Sequence, residues 1–543
     1  MKRPLSPILF VAAVCCMMAA GCNGGKGKLA DLDYAALNAQ ALEEYLQPVH
    51  PGVRGEVPFW NKYATKYIYA PVFDFDDVEN AVGYTYTAEA GGQYLIFGNE
   101  SPRAALSDIW AEIPVGPVTL TVQAHDGQGE SLGAPQSCTF EKDNPFCGPY
   151  DPAPIGYRES AIRAAEFLHK SAIAQSWIPG PDPSMEYRLN CYACKIWSGT
   201  IQTECFLAKM KPEYREEALD IARRAADFLI ANAQPADAPL ACFPPTYYNS
   251  PKGGGIEKVL ELNRGNTMFL EAVYAATAMM DIYDATGDQK YLDLACNIAE
   301  TYKKTQAEDG SWPVKVKYAT GEPINEVRCL PALILQLAQR LGQRYGITGF
   351  EDMVARGEKW MKENIVKDFN FNGQFEDVSI LDKEPYQNLT HCVAGDCIEY
   401  LMGKPERSEE DLALSLQMCR WAEDQFIRWH SEVIYEADAL SARDSAFSTP
   451  FAFEQYVWKS PVDASISKVA QNFMYIYKAT GDTLALAKAK ALTDSLVKLQ
   501  DPETGLIPTI PECVPDKDIN DNWANCTYYS IETLMMMEAI LDE

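Results

Sequence analysis

From Ile155 onward, two kinds of helical segment alternate without a break. One kind carries an apolar stripe at i, i+3 and i+4 and is polar elsewhere: 157–171, 214–232, 290–306, 350–366, 409–429 and 484–500. The other kind is apolar almost all round: 191–209, 265–283, 327–345, 389–402, 464–477 and 524–541. A helix with one apolar stripe keeps its other face in water, whereas one that is apolar all round must be enclosed. Six of each kind, in strict order, therefore predict an outer layer of helices wrapped around an inner ring.

An internal repeat supports this pairing. Tyr283-Asp284-Ala285-Thr286-Gly287-Asp288 matches Tyr477-Lys478-Ala479-Thr480-Gly481-Asp482. Further on, Gln306-Ala307-Glu308-Asp309-Gly310-Ser311-Trp312-Pro313 parallels Gln500-Asp501-Pro502-Glu503-Thr504-Gly505-Leu506-Ile507-Pro508, and Asn372-Gly373-Gln374-Phe375 reads as a third copy of the loop. Thr-Gly-Asp is good turn chemistry, because Gly closes one helix in the left-handed conformation and Asp caps the next. Six such hairpins over residues 151–543 resemble the (α/α)6 barrel of the six-hairpin glycosidase superfamily. The resemblance implies a mainly α chain with its ligand site on one rim.

Ahead of the barrel, residues 56–150 read as a small all-β sandwich. Alternating segments such as Gly83-Tyr84-Thr85-Tyr86-Thr87 and Val118-Thr119-Leu120-Thr121-Val122 are separated by Gly, Pro and Asn turns. With Ile109-Trp110 and the Asp126-Gly127-Gln128-Gly129 turn, this region resembles a fibronectin-type-III-like module, acting as a structural lid or spacer or as a glycan binder. Residues 23–55 are expected to be tether and linker.

The first 22 residues have the form of an export signal. Lys2 and Arg3 precede an apolar run too short to span a bilayer, and Ala19-Ala20-Gly21-Cys22 resembles a bacterial lipobox. The resemblance implies lipid on Cys22 as the only membrane anchor, on a periplasmic or cell-surface face. Of the 16 Cys, those in the body fall mostly in helical patterns and read as small buried apolar residues. Cys138 and Cys147 are the one pair expected to form a bridge. Cys191-Tyr192-Ala193-Cys194 lacks the second ligand pair a zinc site needs. No EF-hand-type loop is present, and neither metal nor cofactor is expected.

With 47 Lys+Arg against 76 Asp+Glu, the net charge is −29, which argues against nucleic acid as a partner. The oligomeric state is not legible.

The connections 235–261, 307–326 and 431–462 are longer than simple turns require, which places ligand binding on their rim. Polar residues stand where the inner helices are expected to start: Asn263 with Arg264, Arg328, Asn388 with His391, Asp463, and Asn525. Asn and Asp are good caps, but cations at a helix start are unfavourable. Arg264 and Arg328 are therefore either anion-binding or paired with Glu261 and Glu326. Trp312, Tyr456 and Trp523 lie in the same loops and suit sugar rings.

Glycoside cleavage commonly uses two carboxyl groups, one protonated and one ionised. Asp463, Asp377 and Glu376 are the candidates, with His391 as proton shuttle or ligand. Asp463 sits where uronic-acid-processing hydrolases of the superfamily, such as unsaturated glucuronyl hydrolases, place acidic residues. That resemblance implies exo-hydrolysis of a glucuronyl residue from an acidic glycan. Two alternatives stay open: a lyase or epimerase using His391, Tyr456, Asn388 and Arg328, and a non-catalytic glycan-binding lipoprotein.

Overall fold

The computed structural model describes residues 32–180, 182–374, 384–430, 450–510 and 519–542. The leader with Cys22 lies outside them, as do Glu376 and Asp377. The first described element is helix α1 (Tyr34–Glu44), capped by Asp33. Residues 23–55 are thus not all tether. Leu37 and Ala41 of α1 are buried, and further on His50 stacks on Phe369 at 3.7 Å.

The β module has seven strands: β1 (Lys66–Tyr67), β2 (Val72–Asp74), β3 (Gly83–Ala90), β4 (Gln93–Asn99), β5 (Arg103–Ala105), β6 (Gly116–His125) and β7 (Ser131–Lys142). They form a five-stranded sheet in the order β1-β7-β6-β3-β4 and a two-stranded sheet of β2 and β5. The sandwich is therefore lopsided. Its second layer is completed by the short helix α2 (Ser107–Trp110), whose Trp110 is fully buried and donates from Nε1 to the Ile68 carbonyl at 2.9 Å. Cys138 and Cys147 are both free thiols, so the expected bridge is absent.

The alternation of helices is seen directly. Outer helices α3 (Tyr157–Lys170), α5 (Arg215–Asn232), α7 (Gln289–Thr305), α9 (Glu351–Met361), α11 (Glu409–Phe426) and α13 (Thr483–Leu499) alternate with inner helices. The inner set is α4 (Ala193–Met210), α6 (Ala272–Thr286), α8 (Ala332–Tyr345), α10 (His391–Met402), α12 (Asp463–Thr480) and α14 (Ala524–Asp542). Each inner helix packs on the next, and α14 packs on α4 and α3, which closes the ring. Two expected starts are too early, those of α6 and α8, which begin at Ala272 and Ala332. Residues 266–268 belong not to α6 but to strand β8 (Asn266–Met268), paired with β9 (Lys315–Lys317).

The repeat is reproduced bond for bond. Thr286 and Thr480 each donate to the carbonyl four residues back at 2.7 Å, and Gly287 and Gly481 each donate to a Tyr carbonyl at 2.7 Å. Gln306 and Gln500 each staple their loop, to the carbonyls of Gly310 and Gly505. Both glycines have positive φ and press on the backbone of another outer helix: a Cβ at 310 would stand 2.4 Å from the Arg356 carbonyl oxygen, and one at 505 would stand 2.6 Å from that of Arg163.

The β module is welded to the barrel. Asp424 at the end of α11 accepts from the backbone N–H groups of Ile68 and Tyr69 at 2.6 and 2.8 Å, and the Lys66 ammonium donates to its carbonyl at 2.7 Å. Beside it, Arg428 pairs with Glu141 and Asp143, the latter at 3.1 Å.

Candidate active site

The inner ring encloses a narrow shaft to which every inner helix contributes a polar side chain: Gln202 from α4, Tyr274 from α6, Arg340 from α8, Asp396 from α10, Lys468 from α12 and Glu532 from α14. Its free space is about 60 Å³, enough for a few waters and too little for a sugar ring. A glycan would therefore sit at the mouth, by the inner-helix N-termini, and send only a small group down the shaft.

Enclosure shifts the ionisable groups of the shaft. Burial pushes the Asp396 carboxyl up to about 6, against the pull of Lys468. Glu532 faces the open shaft but has protein on every side. That enclosure, with the Glu399 charge added, raises its carboxyl to about 7. Arg340 donates to Glu399 at 2.6 Å deeper in the shaft. The Lys468 ammonium stands 4.7 Å over the Tyr529 ring. Burial lifts that phenol to about 12, and Lys468 and Lys195 pull it down. Near the mouth, Lys195 of α4 lies 3.6 Å from Glu271, both almost enclosed.

The residues singled out from the sequence separate into groups. His391 and Asp463 do begin inner helices, and both are fully buried. Burial, and then the Lys468 charge, push the His391 ring down to about 3, so it is neutral; its Nδ1 has no hydrogen-bond partner among the described residues. Asp463 is pushed up to about 8 by burial and so is protonated at neutral pH. With no exposed surface, it does not meet a ligand at the mouth in this structure.

Several others serve the scaffold. Trp312 is fully buried, with its Nε1 donating to the Tyr302 carbonyl at 2.9 Å; it is a core residue, not a sugar platform. Asn388 uses both ends of its amide, giving to Gln455 at 2.8 Å and taking from the Val457 N–H at 3.0 Å. It thereby pins strands β10 (Phe451–Gln455) and β11 (Trp458–Pro461) beside α10. Asn263 is buried, gives to the Val259 carbonyl at 2.9 Å and accepts from the Lys315 ammonium. The Tyr456 hydroxyl donates to Gln425 at 2.6 Å.

Arg264 and Arg328 do not begin inner helices, because α6 and α8 start later, at Ala272 and Ala332. Arg264 is exposed and Arg328 half-buried, and neither forms a described ion pair with Glu261 or Glu326. Trp523 is half-buried against Tyr192 with ring centroids 5.2 Å apart, and Asn525 next to it leaves its Oδ1 buried without a partner among the described residues. These two keep a place at the mouth.

The shaft residues Asp396, Lys468 and Glu532, and Lys195 near the mouth, were missed. Their signal was present: each is a charge inside a segment otherwise apolar enough to be enclosed, where an ionised group needs a reason to be.

No family model matches the chain, and no curated protein sequence matches it. Among solved structures it is similar to a family 76 glycoside hydrolase from a bovine Bacteroides thetaiotaomicron strain, at 10% identity over 86% of this chain and 95% of that one, with a TM-score of 0.46. It is similar to cellobiose 2-epimerase from Spirochaeta thermophila, at 14% identity over 71% and 97% of the two chains, with a TM-score of 0.48. A third is an unsaturated glucuronyl hydrolase specific for heparin, at 11% identity over 71% and 98%, with a TM-score of 0.43. All three are of the six-hairpin superfamily that the helical repeat resembles. The closed ring itself stands on the packing of this chain's own helices.

Proposed function

We propose that this chain is a glycan-processing enzyme working at the mouth of the shaft on an acidic polysaccharide or oligosaccharide, by exo-hydrolysis of a terminal glucuronyl residue. The observation that carries this reading is the set of carboxyl groups in the shaft with raised pKa values, Asp396 at about 6 and Glu532 at about 7, beside lysines in a chain that is otherwise strongly acidic. Hydrolysis needs one carboxyl protonated and one ionised, which different surroundings supply. Asp396 suits the proton donor, and Glu271, facing the Lys195 ammonium, suits the ionised partner.

One observation favours a second reading. Tyr529, whose ring lies 4.7 Å under the Lys468 ammonium, is the group that would take the α-proton of a uronate, as a lyase or epimerase requires; burial holds its phenol up at about 12, which works against that role, while Lys468 works for it. Incubating the purified chain with uronate-containing and neutral glycans separates the readings. Hydrolysis releases reducing sugar without new ultraviolet absorbance, elimination produces the absorbance, and turnover of neutral glycans alone rejects the acidic substrate. We further propose that Cys22 carries lipid and holds the enzyme at a bacterial membrane; Cys22→Ala should release the protein from the membrane fraction.

A further inference from the structure

The ribbon of β8 and β9 is cationic in a chain that is otherwise acidic. Residues 262–268 and 313–318 carry Arg264, Lys315 and Lys317 and no Asp or Glu. Val316 is buried, so Lys315 and Lys317 share the outer face of β9. Their ammonium groups donate to amide oxygens, Lys315 to Asn263 and Lys317 to Asn266 at 3.1 Å. Arg264 lies in the turn between those two asparagines. It is exposed, as is Lys317, and neither forms an ion pair within 4 Å among the described residues. Cations on the outer helices are held differently: Arg163 and Arg224 each meet a carboxylate one helical turn away, at 2.5 and 2.8 Å. Two lysines side by side on one face of a strand repel each other, and an anion laid across them offsets that repulsion.

A line of contacts runs from this ribbon to the mouth. The Lys315 ammonium stands 5.7 Å over the Tyr247 ring, Tyr247 lies 6.3 Å from Tyr192, and Tyr192 lies 5.2 Å from Trp523. The backbone holds this line in place, since Ala193 donates to the Thr246 carbonyl at 3.0 Å, and the hydroxyls of Thr246 and Thr267 are 3.0 Å apart. We infer that the ribbon is the binding track for the chain of a uronate-containing glycan whose terminal residue sits at the mouth. Trp523 marks the start of the track, and Lys315, Lys317 and Arg264 meet carboxylates farther along it. Cations spaced along a ribbon fit a ligand whose negative charges repeat along its length. This rests on the reading of the chain as a glycan-processing enzyme and adds to it how the sugars behind the terminal one are held.

The test is native electrophoresis of the purified full chain through gels containing polygalacturonate, hyaluronan, dextran sulfate or neutral dextran. At least one of the two uronate polymers should retard the chain, less so as salt is added, and dextran should not. Arg264→Gln combined with Lys317→Gln should weaken that retention about tenfold. Both side chains are exposed, so the melting temperature should not move. A matched pair, Arg224→Gln with Lys303→Gln on outer helices α5 and α7, removes the same charge away from the ribbon and should be retarded like the unaltered chain. No retardation by either uronate polymer, retardation by dextran sulfate alone, or equal loss in the two double variants overturns the track. If a short glucuronide is still turned over in that case, only the track falls. Retention that depends on the ribbon, with no glycan turned over, removes the enzymatic reading and leaves a binding track.

Discussion

The Ser530 hydroxyl lies 3.0 Å from Oδ2 of Asp463, joining the first turn of α12 to the middle of α14. Asp463 also receives the Ala464 N–H at 2.7 Å and is fully buried. Its surroundings are those of a neutral group that ties two inner helices together.

A pH dependence of stability follows. The folded pKa of about 8 lies above the ordinary 3.8, so the folded state holds this proton more tightly than the unfolded chain. A raised pKa stabilises below the unfolded value, and that stabilisation is lost as pH rises through the folded value. Between about pH 4 and pH 8 this carboxyl should therefore lower the melting temperature progressively. Asp463→Asn keeps a neutral acceptor and removes the titration. Melting curves should show a flatter profile for the variant and greater stability than the unaltered chain at pH 8. Turnover should survive; its loss in a well-folded variant would restore Asp463 to the chemistry.

Asp396 should behave in the opposite way with respect to activity. As proton donor with a carboxyl at about 6, it is increasingly ionised above that pH, so kcat/KM should fall on the alkaline side from about pH 6. Asp396→Asn should lower turnover by 10²-fold or more and leave the melting temperature within a few degrees. A rate profile that is flat from pH 5 to pH 8 would exclude it as the donor.

The two loop glycines predict matched losses. At both 310 and 505 an alanine meets a backbone oxygen at under 3 Å in a positive-φ conformation. Gly310→Ala and Gly505→Ala should each cost roughly 1–3 kcal/mol, read by denaturant unfolding. Equal values would show that the two copies of the repeat carry equal strain.

Asp424 tests whether the β module and barrel act as one unit. Replacement by Ala leaves the Ile68 and Tyr69 N–H groups buried without their acceptor, a loss on the order of 3 kcal/mol. Calorimetry should then resolve two transitions where the unaltered chain shows one.

The helical hairpins were legible because their periodicity is local, and most ends fall within two residues of the expected positions. Strand β8 was hidden because its partner β9 lies about fifty residues away, and a three-residue strand has no period of its own. Trp312 was misjudged for a related reason. An aromatic in a polar, Gly-containing loop looks like a sugar platform, yet Gly357 on α9 leaves a space that the indole fills, with Trp312 atoms 3.1 Å from where a Cβ would be. The position of Asp463 at the start of an inner helix was legible, but its orientation toward Ser530 depends on how α12 and α14 meet. The shaft charges were visible as exceptions to an apolar pattern, and only the closed ring shows them facing one another.

Closure of that ring has a consequence in time. The seam is made where α14 docks on α3 and α4, joining segments more than three hundred residues apart in the chain. Until Ala524–Asp542 arrives, the other five inner helices border an open groove, and Lys468 and Asp396 face water. The shaft and its shifted carboxyls are therefore complete only with Ala524–Asp542 in place, and a chain lacking that helix would hold neither.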